Sequence, residues 1–269
     1  MIVDNSKVLT VGKSKTLSHF QRDIVHFFST RKGGVSRNEY GTLNIGLNQA
    51  DLSTNVFENR SRLAQSVGID VNSFVFARQV HGTKVVRVYE SDRGRGLCSR
   101  ATAFPFTDGM VTNSPNTCLV TLAADCVPIL FFDPVKKAIG VAHAGWKGTV
   151  LKMPRFVIQS MICEFESNPA DIIVALGPSA GPCCYEIGQE VIDEIVAAFG
   201  KPNGILQSTG NPQKAIFNMW EANRKTLIDS GINVDNIDIF NQCTICNNHT
   251  FFSARKGDLG RFGAGIMLV

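Results

Sequence analysis

Apolar, β-branched runs recur through the middle of the chain, at residues 74–80, 85–89, 118–123, 127–132, 139–143 and 172–176. Runs of this length, bounded by Gly, Pro, Asp and Asn, predict strands. Several of them, VPILFF above all, are apolar at every position rather than at alternate ones. A strand of that kind needs cover on both faces, so the sheet it enters is predicted to be buried. Apolar positions three and four apart predict helices over residues 56–67, 151–166, 191–199 and 216–230. The mixture of elements places the chain in the α/β or α+β class. Two stretches rich in Gly, Ser, Pro or Asn, residues 91–107 and 201–213, read as surface loops. Neither separates two regimes of composition and no internal repeat occurs, so a single domain over residues 1–269 is expected.

A chain of 269 residues can bury a core without cross-links. Its 27 basic and 23 acidic residues leave a net charge of +4, small and dispersed, which argues against a nucleic-acid or membrane surface. The opening MIVDNSKVLTVGKSK has no apolar core of a signal peptide, and a run such as CVPILFF is too short to cross a bilayer. A cytoplasmic protein is therefore expected. In that setting eight cysteines read as reduced thiols or metal ligands, not as a disulfide framework.

Three of the apolar runs end on side chains that bind metals: His81 in QVHG, Cys126 in AADC and His143 in VAHAGWKG. One thiolate and two imidazoles suit a zinc ion whose fourth position stays open. The plainer reading is two half-buried histidines and one inert core cysteine. Asp125, beside Cys126, is a carboxylate inside an apolar run and calls for a hydrogen-bond partner or a nearby metal. The passage from strand to helix around Gly145 and Lys147 offers backbone N–H groups and a cation to an anion such as phosphate, or is simply a turn. Ser29, Arg31 and Asn44, around a Gly33-Gly34 turn, have the hydrogen-bonding groups to meet a sugar, a base or phosphate, or else form a solvated hairpin.

Two cysteine-rich stretches lie further on. Adjacent Cys183 and Cys184 in GPSAGPCCYEIG read as packing residues, because neighbouring cysteines rarely ligate one metal with good geometry. CTICNNH places Cys243, Cys246 and His249 at a compact spacing that signals zinc or redox chemistry, yet a structural zinc site wants four ligands and no second local pair is evident. Beyond it, Ser253, Arg255, Lys256 and Arg261 form a basic tail that either closes over an anionic substrate or is a solvated face.

In order along the chain, FSTRKGGVS, LNIG, NRSRLA, QVHG, TDGMVT, ADCVPIL, HAGWKG, GPSAGPCCYEIG and FFSARKG resemble the YfiH/laccase-domain family, over residues 26–261. The resemblance implies one domain, a layered sandwich of mixed β-sheets flanked by helices, with a purine-nucleoside pocket at a zinc held by His81, Cys126 and His143. It implies a purine nucleoside phosphorylase acting on adenosine, inosine and S-methyl-5'-thioadenosine with phosphate, with adenosine deaminase activity in some members. Older descriptions of the family speak of polyphenol oxidases or laccases. Lys147 stands where the usual HAGWRG form has arginine, and FFSARK replaces FFSYRR. Lys147 keeps the charge without the planar fork, and Ala254 lacks an aromatic face to stack on a base.

On this basis phosphate is expected at Arg31 and Lys147, base or ribose at Ser29 and Asn44, substrate also at Arg255 of the basic tail, and a ligand-orienting or proton-relaying role at Asp125. The partners are purine nucleosides and phosphate, with neither nucleic acid nor membrane, in a monomer or homodimer. Three alternatives stay open. The same donors suit copper, although five histidines are few for a laccase with several coppers. Cys126 with His81 or His143 makes a nucleophile and base for a hydrolase, for example of a cell-wall peptide or amide. A binding module with a purely structural zinc is the last.

Overall fold

The computed structural model describes residues 9–47 and 51–269. Among the described residues fourteen strands form three sheets. The first contains β1 (Val11–Gly12), β2 (Ile24–Ser29), β3 (Phe74–Phe76), β6 (Cys118–Ala123) and β14 (Phe262–Leu268), in the order β1-β2-β14-β6-β3. The second contains β4 (Val85–Arg87), β5 (Gly109–Thr112), β7 (Val127–Asp133), β8 (Ala138–Ala144), β9 (Ile173–Leu176) and β13 (Ile237–Ile239), in the order β13-β9-β7-β8-β5-β4. A small third sheet joins β10 (Glu186–Gly188), β11 (Leu206–Ser208) and β12 (Lys214–Phe217). Both large sheets are mixed: β3 runs parallel to β6, β4 to β5 and β13 to β9, while the other pairs are antiparallel. The α-helices among the described residues are α1 (Ser53–Ser66), α2 (Trp146–Val150), α3 (Met153–Phe165), α4 (Gln189–Phe199) and α5 (Met219–Asp229).

Period-two alternation explains the layers. On β7, Ile129 and Phe131 join the core that contains Val157 and Met161 of α3, whereas Leu130 and Phe132 join Phe28, Leu119 and Ile266 of the other sheet. The outer face of the five-stranded sheet packs Phe27, Phe74 and Val120 against Leu63 and Ala64 of α1. Helix, sheet, sheet and helix thus stack in sequence. The continuously apolar run VPILFF is buried on both faces, as its composition demands.

Several boundaries differ from the sequence reading. The strand expected over 74–80 stops at Phe76, because the chain beyond it turns to pair with the 91–107 segment through Arg78 N–H to the Phe104 carbonyl at 2.8 Å. That segment is not a free surface loop: Leu97 and Ala103 are buried, and the buried Arg60 guanidinium donates to the Gly96 carbonyl at 2.6 Å. The helix expected over 151–166 is α3, which begins at Met153 because Lys152, whose φ of 58° is left-handed, separates it from the short α2 before it. The one expected over 216–230 begins at Met219 because Ile216 belongs to β12 and Asn218 caps the helix from its side chain. The other expected loop, 201–213, contains β11. Among the described residues no helix is long and apolar enough to cross a membrane. All eight cysteines are free.

His26 on β2 is buried between the sheets and accepts a hydrogen bond at Nε2 from Ser14 N–H at 3.1 Å. Burial, with the nearby charge of Lys13, pulls its pKa from 6.5 down to about 4. The unfolded chain therefore takes up a proton that the folded protein refuses as the pH falls from 6.5 towards 4. Stability is lost across that window, by about 3 kcal/mol in full. Urea unfolding at pH 7 and pH 4.5 should show a smaller decline for His26→Gln than for the parent. Equal declines would remove His26 as the cause.

Candidate active site

The turn between β6 and β7 carries the chain from one large sheet to the other, and Cys126 sits on it. His143 lies near the end of β8, opposite Pro128 of β7 and on the face shared by Ile139 and Val141, towards the five-stranded sheet. His81 follows β3 in a turn, with a φ of 63°, while Asp125 has a φ of 81°. Left-handed backbone at non-glycine residues needs support from its surroundings, and both positions flank the same site. One donor atom from each of His81, Cys126 and His143 lies within 4.8 Å of the others. The His81 Nε2 to Cys126 Sγ distance is 3.7 Å, and the two imidazole rings are 4.8 Å apart at 59°. Gly145 closes one side: a Cβ there would stand 2.8 Å from both Cys126 Sγ and His81 Cδ2.

Asp108, in TDGMVT, holds the two histidines in place. Its carboxylate accepts hydrogen bonds from His81 N–H and Gly82 N–H, both at 2.9 Å, and from Val80 N–H. It also pairs with His143 Nδ1 at 2.9 Å. That bond leaves His143 Nε2 free to face Cys126, the arrangement by which an outer carboxylate orients a metal-binding imidazole. Sequence reasoning quoted TDGMVT but missed this residue. The signal was there, since a carboxylate just before the apolar GMV needs a partner as much as Asp125 does.

The electrostatics follow from this packing. Burial opposes ionisation of Cys126, but the charges and hydrogen bonds of His143 and His81 outweigh it and bring the thiol down to about 6. Burial likewise opposes protonation of His143, and Cys126 with Asp108 overcomes it, raising the imidazole to about 9. Asp108 is held below its ordinary range: burial works against ionisation, and His143 with the backbone N–H groups prevails. Each group thus favours the charged form of the other, and a metal bound here takes the place of any proton at the donor atoms.

Asp125 is buried and fully engaged. Its carboxylate accepts from Thr244 Oγ1 at 2.6 Å, Ser253 Oγ at 3.1 Å and Arg255 N–H at 2.8 Å. Its carbonyl accepts from Ala180 N–H at 2.9 Å. These bonds tie three later loops to the residue before Cys126, which gives Asp125 a positioning role.

A cavity of about 340 Å³ opens over the three donors. Phe76, Ala77, Leu122 and Ala123 supply apolar wall, and Arg60, Arg78, Arg100 and Arg261 supply cationic wall, Arg60 with its guanidinium already donating to the Ile45 and Gly96 carbonyls. The volume falls within the range of small-molecule sites. Ala254 lines the cavity too, at the position where the sequence lacks an aromatic side chain.

The other expected substrate residues are not part of this wall. Ser29 Oγ accepts from Gly263 N–H at 2.9 Å and joins β2 to β14. The Arg31 guanidinium forks onto Asp258 at 3.0 and 3.1 Å and donates to the Asn248 carbonyl at 2.8 Å, so its donors are already spent. Asn44 is buried and holds the Arg261 backbone N–H at 2.9 Å, serving the cavity from behind. Lys147 is exposed, its ammonium 5.4 Å from the centre of the Trp146 ring. Arg255 stacks on Tyr185 at 4.7 Å. Of the cysteines expected to be packing residues, Cys183 is exposed and Cys184 half-buried, and both face Cys246 rather than a core. His249 is exposed and is not among the donors grouped with Cys243 and Cys246.

The family model described as multi-copper polyphenol oxidoreductase laccase matches residues 25–269. The purine nucleoside phosphorylase YlmD of Bacillus subtilis is 37% identical over 242 residues, covering 90% of this chain and 86% of that protein. The adenosine deaminase RL5, from an unknown prokaryotic organism, is 32% identical over 245 residues, covering 90% of this chain and 93% of that protein. Among solved structures, the hypothetical protein YfiH of Bacillus licheniformis superposes with a TM-score of 0.91 at 33% identity, covering 98% of each chain.

Proposed function

Because the chain belongs to the multi-copper polyphenol oxidoreductase laccase family, in which relatives carry purine nucleoside phosphorylase and adenosine deaminase names, we propose that it is a zinc-dependent purine nucleoside phosphorylase. Its substrates are adenosine, inosine and S-methyl-5'-thioadenosine with phosphate, and it deaminates adenosine as a second activity. The observation that carries this reading is the placement of two imidazoles and a thiolate beneath a cavity walled by apolar side chains and arginines.

The donor set fits a borderline-soft ion with one open position. Zinc, when bound, supplies Lewis acidity and makes water acidic enough to react near neutral pH. His143 is kept in one tautomer by Asp108, and Gly145 leaves room for the donors to converge. In phosphorolysis an oxygen of phosphate bonds to the anomeric carbon, the glycosidic C–N bond breaks with its electron pair, and the base leaves protonated. Arg78, Arg100 and Arg261 are suited to hold the phosphate, since planar guanidinium forks match its oxygens. This replaces the expectation of Arg31, which is committed to Asp258, and of Lys147, which lies outside the cavity wall. The apolar wall takes the purine and is indifferent to a 5'-methylthio group. Deamination needs only water and the purine amine, and so makes no demand on the arginines.

The test is turnover of adenosine and inosine with and without phosphate, with products separated and zinc measured in the same preparation. Ribose 1-phosphate and free base are expected only with phosphate. Arg100→Ala, which changes an exposed side chain, should raise the KM for phosphate by roughly tenfold or more and leave deamination intact. Zinc-loaded protein that yields no ribose 1-phosphate would overturn the proposal.

A second reading is favoured by one observation: Cys126, His143 and Asp108 also have the order of a nucleophile, base and orienting acid. A Cys-His hydrolase would keep its activity after chelation and lose it to thiol alkylation, the reverse of a metal-dependent phosphorylase. Copper oxidation has less support. Laccase chemistry uses several coppers, and among the described residues the donor groups contain two histidines in all.

A further inference from the structure

Two loops distant in sequence meet beside the first site and bring four cysteines together. Cys183 and Cys184 sit in the Gly- and Pro-rich turn before β10, and Cys243 and Cys246 in the C-x-x-C turn after β13. The four sulfurs lie within 4.8 Å of one another. Cys246 Sγ is 3.0 Å from Cys184 Sγ and 3.4 Å from Cys183 Sγ. A tetrahedral thiolate shell with metal–sulfur bonds of about 2.3 Å sets its sulfurs about 3.8 Å apart. The observed spacing needs only small side-chain rotations to reach it.

The backbone also directs donors at one of these sulfurs. Gly181 N–H donates to Cys243 Sγ at 3.3 Å, and the backbone N–H groups of Ile245 and Cys246 address the same atom. The loops are pinned before any ligand arrives: Thr244 N–H donates to the Ser179 carbonyl at 3.0 Å, and Trp220 Nε1 donates to Ser179 Oγ at 2.6 Å. Sequence spacing alone left the C-x-x-C pair short of ligands; the fold supplies the missing two from the other loop.

We propose that Cys183, Cys184, Cys243 and Cys246 form a second metal site, a closed tetrathiolate that binds zinc. Four protein ligands leave no position for substrate, so its role is structural. It holds the loop whose Thr244 hydroxyl donates to Asp125, the residue next to Cys126, and so steadies the wall of the first site. The inference does not depend on which reaction the first site performs.

The experiment is metal content by elemental mass spectrometry on full-length protein purified under reducing conditions, with thiol mapping of the same sample. Two zinc ions per chain are expected in the parent and one in Cys246→Ser, with the remaining ion retained by the His81, Cys126 and His143 site. Cobalt loading supplies a second readout: the intense sulfur-to-cobalt absorption should fall sharply in Cys246→Ser and persist mostly in Cys126→Ala. Should Cys246→Ser fail to fold, Cys183→Ser tests the same ligand set at an exposed position. One zinc per chain in the parent, removed entirely by Cys126→Ala, would overturn the proposal. So would a disulfide between Cys184 and Cys246 in the mapped protein, which would make the cluster a redox pair.

Discussion

Cys126→Ala is expected to empty the first metal site and to lower phosphorolysis by on the order of a thousandfold, while the protein stays folded. The thiolate is one of three donors, and two imidazoles alone hold zinc poorly. Losing a Lewis acid worth several kcal/mol of transition-state stabilisation corresponds to about three powers of ten in rate. The cost to the fold is small because Cys126 is only half-buried and alanine leaves the backbone of the turn unchanged. Asp125, which holds that turn, keeps its bonds to Thr244, Ser253 and Arg255. Zinc content, product formation and a thermal melt on one preparation check all three parts. A folded variant that has lost zinc from this site and retains full phosphorolysis would show that the metal plays no part in the main reaction.

Asp108→Asn is expected to weaken zinc binding at the first site by roughly 10–100-fold without removing any ligand. The carboxylate serves three backbone N–H groups and the His143 ring at once, and an amide cannot accept from all of them. His143 then loses the partner that holds its tautomer, and the 80–82 turn loses the acceptor that supports His81 in its left-handed conformation. Lost bonds to a charged acceptor put the destabilisation at about 2–3 kcal/mol. Zinc titration against a competing chelator separates this role from a merely structural one. Saturating zinc should restore much of the activity of Asp108→Asn and none of that of Cys126→Ala. An unchanged zinc affinity would confine Asp108 to folding.

Much of the fold was legible because burial on both faces leaves a strong mark. β6 matches its expected bounds, and β7 and β8 extend theirs by a residue or two, since continuous apolar runs have few other uses in a chain of this composition. β14 was not legible: FGAGIML reads as a weak strand on its own, and its glycines are dictated by close neighbours, as a Cβ on Gly265 would stand 2.4 Å from the Phe27 ring on the adjacent strand and one on Gly263 2.3 Å from Ile45. The end of β3 at Phe76 likewise depends on a partner segment that no local pattern announces.

The site divides in the same way. Side-chain chemistry singled out His81, Cys126, His143 and Asp125, because soft donors and a carboxylate inside apolar runs are costly without a purpose. Sequence could not tell which polar residues near those motifs face the cavity. Arg31 and Asn44 look like ligand-binding groups in one dimension, and in three they bond to Asp258 and to the Arg261 backbone. By itself, then, the sequence determined the mixed α and β class, the ligand types and the family resemblance, all of which follow from local composition and order. Tertiary structure alone decided the rest: Asp108 as the common support of two histidines, four arginines around one cavity, and four cysteines from two loops within reach of a single ion. Each of these depends on convergence across tens of residues, which hydrophobic periodicity does not encode.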